Sequence, residues 1–160
     1  MAAKVTIPIA VLMRRRQVVQ GRWSVPSWEV TSVLPAEHLA SRGATRELVR
    51  DGDDEAQYLW SGFALELHRD GAESYWFNLT GNNPSLYVLC HESPDGDIEP
   101  FLVTADHDQG TAGLEGDDKV FATSIPQEIY QTIERFIVDH YVPAAPKKRK
   151  RKNWMGDQKI

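Results

Sequence analysis

Through most of its first 125 residues this chain returns an apolar side chain at every second position in short runs, and glycine, proline or Asx-rich turns close each run. That pattern restricts the fold more than any other feature. A period of two gives a strand one face for a core, and turns this short join antiparallel neighbours, whereas parallel strands need long crossovers.

Val5, Ile7, Ile9, Val11 and Met13 define a first strand that ends near Arg14, Arg15 and Arg16. Pro8 within it predicts an edge or a bulge. Gly21 and Pro26 mark a turn before a second strand over 28–34, with Trp28, Val30 and Leu34 on one face and Pro35 closing it. Residues 36–55 break the pattern. They hold Arg42, Arg46, Glu47, Arg50 and the run Asp51-Gly52-Asp53-Asp54-Glu55, with only Leu39, Leu48 and Val49 to bury, so they read as a solvated excursion with at most one short helix.

Strand signals then resume in close order. Phe63, Leu65 and Leu67 lead through a tight Asp70-Gly71 turn into Tyr75, Phe77 and Leu79, which predicts a hairpin. After Gly81-Asn82-Asn83-Pro84 come Leu86, Val88 and Cys90, and Pro94-Asp95-Gly96-Asp97 turns the chain into a strand over 101–105. Residues 106–118, acidic and glycine-bearing, read as an exposed loop before a last strand over 120–125. Pro126 suits a first helical turn, with Glu128 near the positive end of the helix dipole, and Ile129, Ile133, Phe136 and Ile137 follow at helical spacing.

The expected fold is therefore α+β: a bent antiparallel sheet or partly open barrel of seven to eight strands with one C-terminal amphipathic helix on its apolar face or open end. A pleckstrin-homology-like barrel has that shape, an analogy that carries no function. Residues 1–142 form one expected globular domain. Pro143 to Pro146 read as a stiff linker, and the basic end of residues 143–160 is expected to be disordered.

Charge separates those two parts. Residues 1–146 hold 11 Lys/Arg against 22 Asp/Glu, and residues 147–160 hold 7 against 1. Lys147, Lys148, Arg149, Lys150, Arg151 and Lys152 are consecutive, so the tail is suited to an acidic surface. Nucleic acid is a poor match, because the acidic body would repel it and Trp154 alone is interleaved. Stable lipid anchoring would need an apolar partner that the tail lacks. A second cationic cluster, Arg14, Arg15, Arg16 and Arg22, lies near Trp23 and Trp28, the composition of a contact surface. The plainer alternative has the indoles covering the core while the arginines pair with the acidic body.

No apolar run is long enough for a transmembrane helix, and arginines follow the apolar 5–13 run where a secretory signal needs them in front. A cytoplasmic address is expected. Cys90 is the lone cysteine, which rules out an intrachain disulfide and a cysteine-rich zinc site. It is expected to act as a small buried hydrophobe, not a nucleophile. Asp106-His107-Asp108, with His91 or His68, has ligand chemistry, but adjacent residues of an extended loop point apart and the plain reading is solvation. Glycine-rich phosphate cradles are absent. No catalytic residues, metal ligands or cofactor-binding residues are assigned, and no cofactor is expected.

Several short motifs occur in an order that resembles a small bacterial family of unknown function. They are Arg14-Arg15, Trp23, Trp28-Glu29-Val30, Val33-Leu34-Pro35, Tyr75 with Asn78-Leu79, Pro84-Ser85-Leu86-Tyr87-Val88, Leu102-Val103-Thr104-Ala105, Ile125-Pro126 and the basic end after His140. Met13 stands where that family often has Glu before its paired arginines. Members are typically encoded beside formate dehydrogenase genes, and some are labelled molybdopterin-guanine dinucleotide biosynthesis proteins. The resemblance implies a non-catalytic accessory protein for a molybdenum-dependent formate dehydrogenase, docking on a subunit or maturation factor. Two alternatives remain open: a molybdenum-cofactor biosynthesis or carrier protein, and a nucleic-acid adaptor using the tail.

Overall fold

The computed structural model describes residues 4–38 and 45–143. Seven strands form two antiparallel sheets. The first contains β1 (Lys4–Gln20), β2 (Trp23–Pro35), β3 (Thr45–Asp51) and β4 (Glu55–His68) in the order β2-β1-β4-β3. The second contains β5 (Ser85–Glu92), β6 (Ile98–Thr104) and β7 (Lys119–Ser124) in the order β6-β5-β7. The strand number agrees with expectation, but the sheet is divided. β2 lies beside β7 and β4 beside β6, yet no ladder joins either pair, so the described residues form no closed barrel.

Both sheets turn their apolar faces to one core. Ile9, Val11, Met13, Val33, Leu65 and Leu67 meet Leu86, Val88, Cys90, Ile98 and Val103 there, and burying each large side chain contributes about 1.5–3 kcal/mol. The alternation in β1 is therefore real, although the strand continues well past Met13. Its length is accommodated by slips in register, one against β2 between Leu12 and Met13 and one against β4 between Ile9 and Val11. Opposite the second slip sits Gly62 at φ 88, a conformation that a residue with a Cβ rarely adopts. Pro8 is tolerated in this central strand because the β1–β2 ladder ends beside it, where its carbonyl accepts from Ala36 N at 3.0 Å.

In β2 the slip opposite Leu12 and Met13 puts Val33, and not Leu34, on the core face with Trp28 and Val30, and Leu34 is left exposed. Three further expectations need correction. First, residues 45–51 of the supposed solvated excursion form β3, an edge strand whose Arg46 and Leu48 lie opposite Trp60 and Tyr58. Charged residues and a slip at Val49 hide its alternation, and an edge strand needs little burial. Leu39 and Arg42 lie outside the described residues.

Second, Tyr75, Phe77 and Leu79 belong to a helix, α1 (Ala72–Thr80), preceded by a 3-10 turn at Arg69–Gly71. The residues it buries are Ala72, Tyr75, Asn78 and Leu79, at helical spacing, while Phe77 is exposed. Gly71 is required by close approach: a Cβ there would stand 2.7 Å from the Tyr75 ring. Third, residues 106–118 contain α2 (His107–Leu114), whose Asp106 cap accepts from Asp108 N at 2.9 Å and Gln109 N at 3.4 Å.

The C-terminal helix, α3 (Gln127–His140), follows the predicted stripe and buries Ile129, Ile133, Phe136 and Ile137. It begins one residue after Pro126, which is its N-cap and accepts the first bond from Tyr130 N. Among the described residues it is one of three α-helices, and it packs on α1 through a Tyr75–Phe136 edge-to-face pair at 6.1 Å.

Candidate functional site

The β1–β2 hairpin outgrows its sheet. β4 follows β1 only as far as Glu55 opposite Arg16, with one further bond from Gln17 N to Asp54 O at 2.9 Å. Beyond that, Val18, Val19 and Gln20 pair only with Val25, Ser24 and Trp23 around a turn at Gly21 and Arg22. The result is a two-stranded arm carried clear of the core. Trp23 and Val19 are each 76% exposed. Arg16, Val18, Trp23 and Val25 lie on one face of this arm by their pairing, and Val19 lies on the other. Large apolar groups held in water by a protruding ribbon stabilise nothing in the described fold, so their chemistry is that of a contact surface.

The arginines predicted to act together are divided between opposite faces. Arg14 shares the outer face with Arg16 and pairs with Glu29 and, at 3.8 Å, with Glu55. A hydrogen bond from Gln57 Nε2 at 2.9 Å, and then the nearby guanidiniums of Arg14, Arg50 and Arg16, hold the Glu55 carboxyl below its ordinary range against some desolvation. The body thus engages Arg14, as the plainer reading held.

Arg15 points to the opposite face, where it joins residues that the sequence reading did not group with it. Its guanidinium lies 5.8 Å from the ring centres of both Trp28 and Tyr58, which are themselves stacked at 5.9 Å. Arg46 of β3 sits 5.0 Å from the Tyr58 ring and 5.6 Å from Trp60. Asp97, in the β5–β6 turn, approaches both cations, at 4.0 Å from Arg15 and 3.8 Å from Arg46. The indole nitrogens of Trp28 and Trp60 are buried without a hydrogen-bond partner among the described residues.

Cation–π contacts hold this cluster together within the first sheet, and the ion pairs of Asp97 tie the β5–β6 turn to it. Ala56, Tyr58 and Trp60 alternate ahead of Phe63, so period two was available to find it; Arg46 and Asp97 needed the strand pairing. Between β2 and β7 a cleft of about 440 Å³ opens beside Trp28, with Glu92, Lys119 and Phe121 on its walls.

The remaining candidates lie apart. Asp106, His107 and Asp108 begin α2, where Asp106 is engaged as the cap and His107 packs on Tyr87 at 5.6 Å. Among the described residues no three His, Cys, Asp or Glu side chains are grouped to hold a metal ion. Cys90 is fully buried and its thiol is pushed up to about 12 by desolvation, so it stays protonated and unreactive. Lys147, Lys148, Arg149, Lys150, Arg151 and Lys152 lie outside the described residues. No described helix is long and apolar enough to cross a membrane.

Searches of curated proteins and of solved structures each found no match. A family model does match: residues 8–152 fit the one described as a protein of unknown function (DUF3305), and the chain belongs to that family.

Proposed function

We propose that this chain is a non-catalytic accessory protein for the maturation or assembly of a molybdenum-dependent formate dehydrogenase, and that it acts by docking on another protein. The observation that carries the docking is the β1–β2 arm, which holds Trp23 in solvent next to Arg22 and beyond the reach of the core. Tryptophan and arginine are enriched among the few residues that carry most of the binding energy of protein interfaces. The basic tail supplies a second contact for an acidic surface on the same partner.

The nature of the partner is supported by the motif order described above, from Arg14-Arg15 to the basic end after His140, which resembles proteins encoded beside formate dehydrogenase genes. Binding of purified formate dehydrogenase subunits and maturation factors to the full chain is the test. Trp23→Ala is expected to weaken the complex by about 30-fold, the scale of an interface hot spot. Removal of residues 147–160 should lower affinity more at low salt than at high salt. Equal binding by wild type and Trp23→Ala would remove the arm from the account.

A further inference from the structure

The outer edge of β3 closes the four-stranded sheet, and among the described residues no strand lies beyond it. The other sheet edges are shielded differently: β2 runs beside β7, and β6 beside β4. Native edge strands are usually protected by lysine, proline or a charge directed inward, since an open row of backbone donors and acceptors pairs with any suitable strand. β3 carries two protective features, the slip at Val49 and the inward-directed Arg46, yet at its middle Leu48 and Val49 are 52% and 50% exposed.

The sequence of β3, Thr-Arg-Glu-Leu-Val-Arg-Asp, is complementary to itself. Laid antiparallel on a copy with Leu48 opposite Val49, it sets Glu47 opposite Arg50 and Arg46 opposite Asp51. Each of these pairs then occurs twice by symmetry.

A regular strand could not use that register. Residues opposed across an antiparallel ladder share a face, and residues three or five apart in a regular strand do not. β3 is irregular in the way that is needed. Its ladder with β4 slips at Val49, so that Leu48 faces Tyr58 while Arg50 faces Gln57. Glu47 faces Leu59, on the same side of β4 as Gln57; Arg46 faces Trp60, on the same side as Ala56, the partner of Asp51. The slip therefore brings Glu47 and Arg50 to one face and Arg46 and Asp51 to the other.

We propose that two copies of this chain associate edge to edge through β3, about a two-fold axis normal to the sheet, with Glu47 of each strand against Arg50 of the other. The two four-stranded sheets then form one sheet of eight. Opposite charges facing each other across strands favour the pairing and like charges oppose it, which fixes both the register and the partner.

Sedimentation equilibrium of the full chain tests this, with circular dichroism to establish that each variant is folded. Wild type is expected to be a dimer. Glu47→Arg and Arg50→Glu each set like charges opposite one another at two symmetric places, and each should weaken self-association by about tenfold or more. The double variant Glu47→Arg with Arg50→Glu restores complementarity and should recover the dimer, and an equimolar mixture of the two single variants should form a heterodimer. A wild type that stays monomeric at the highest concentration measured would overturn the proposal. So would a double variant no tighter than the singles.

Discussion

Asn78 is the one polar side chain that α1 buries, and replacing it should cost more than replacing many of the apolar residues around it. Its Nδ2 donates to Ser85 O at 2.7 Å and to Ala105 O at 2.9 Å, while its Oδ1 accepts from Ser85 N at 3.1 Å. One amide thus joins the helix to the start of β5 and to the chain leaving β6. Asn78, Ser85 and Ala105 are 7%, 5% and 0% exposed, so water can replace little of what is lost. Asn78→Ala removes three bonds worth about 1 kcal/mol each and orphans buried backbone groups, a loss of about 3–5 kcal/mol.

Asn78→Asp is a sharper probe, because a carboxylate keeps the bond from Ser85 N but turns a negative oxygen toward two carbonyls. Its folded pKa must rise above the unfolded value, so the penalty is small below about pH 4 and grows as pH climbs through the folded pKa. Urea unfolding followed by circular dichroism at a series of pH values, with equal m-values, measures both effects. A loss below about 1 kcal/mol for Asn78→Ala would refute the reasoning, as would a pH-independent Asn78→Asp penalty.

Two further outcomes follow from the core. Ile133 is fully buried on α3, so Ile133→Ala should cost about 2–5 kcal/mol and Ile133→Val only about 0.5–1.5 in the same assay. Cys90 should resist thiol reagents in the native protein and react on unfolding. Its raised folded pKa also means that the unfolded state loses the proton first, so stability should fall by about 1.4 kcal/mol per pH unit from about pH 9 toward 12, a slope that Cys90→Ala should lessen.

Where one face of an element was apolar and the other polar, the sequence was enough: β1, β5 and α3 follow their stripes, whereas β6 begins at Ile98, ahead of the expected 101–105, and slips at Phe101, which is exposed. α1 was misread because Tyr75 and Leu79 satisfy both periods, and the residue that decides between them, Asn78, is buried for its hydrogen bonds and not for its hydrophobicity. β3 was missed for the opposite reason. An edge strand with one face over aromatic rings is built from Arg46 and Leu48, and a slip at Val49 erases the alternation. At the candidate site, the exposed tryptophan and the arginines were visible as composition. Their division between two faces depends on strand parity. The meeting of Arg15 with Arg46 and Asp97 depends on contacts between segments far apart in the chain, which no local pattern carries.

The most direct test of the central claim is formate dehydrogenase activity and molybdenum-cofactor content in cells whose own copy of this gene has been deleted, then complemented with wild type or with Trp23→Ala. The account predicts that deletion lowers both, that wild type restores them, and that Trp23→Ala, though folded and equally abundant, does not. Full activity with normal cofactor loading in the deletion strain would contradict it.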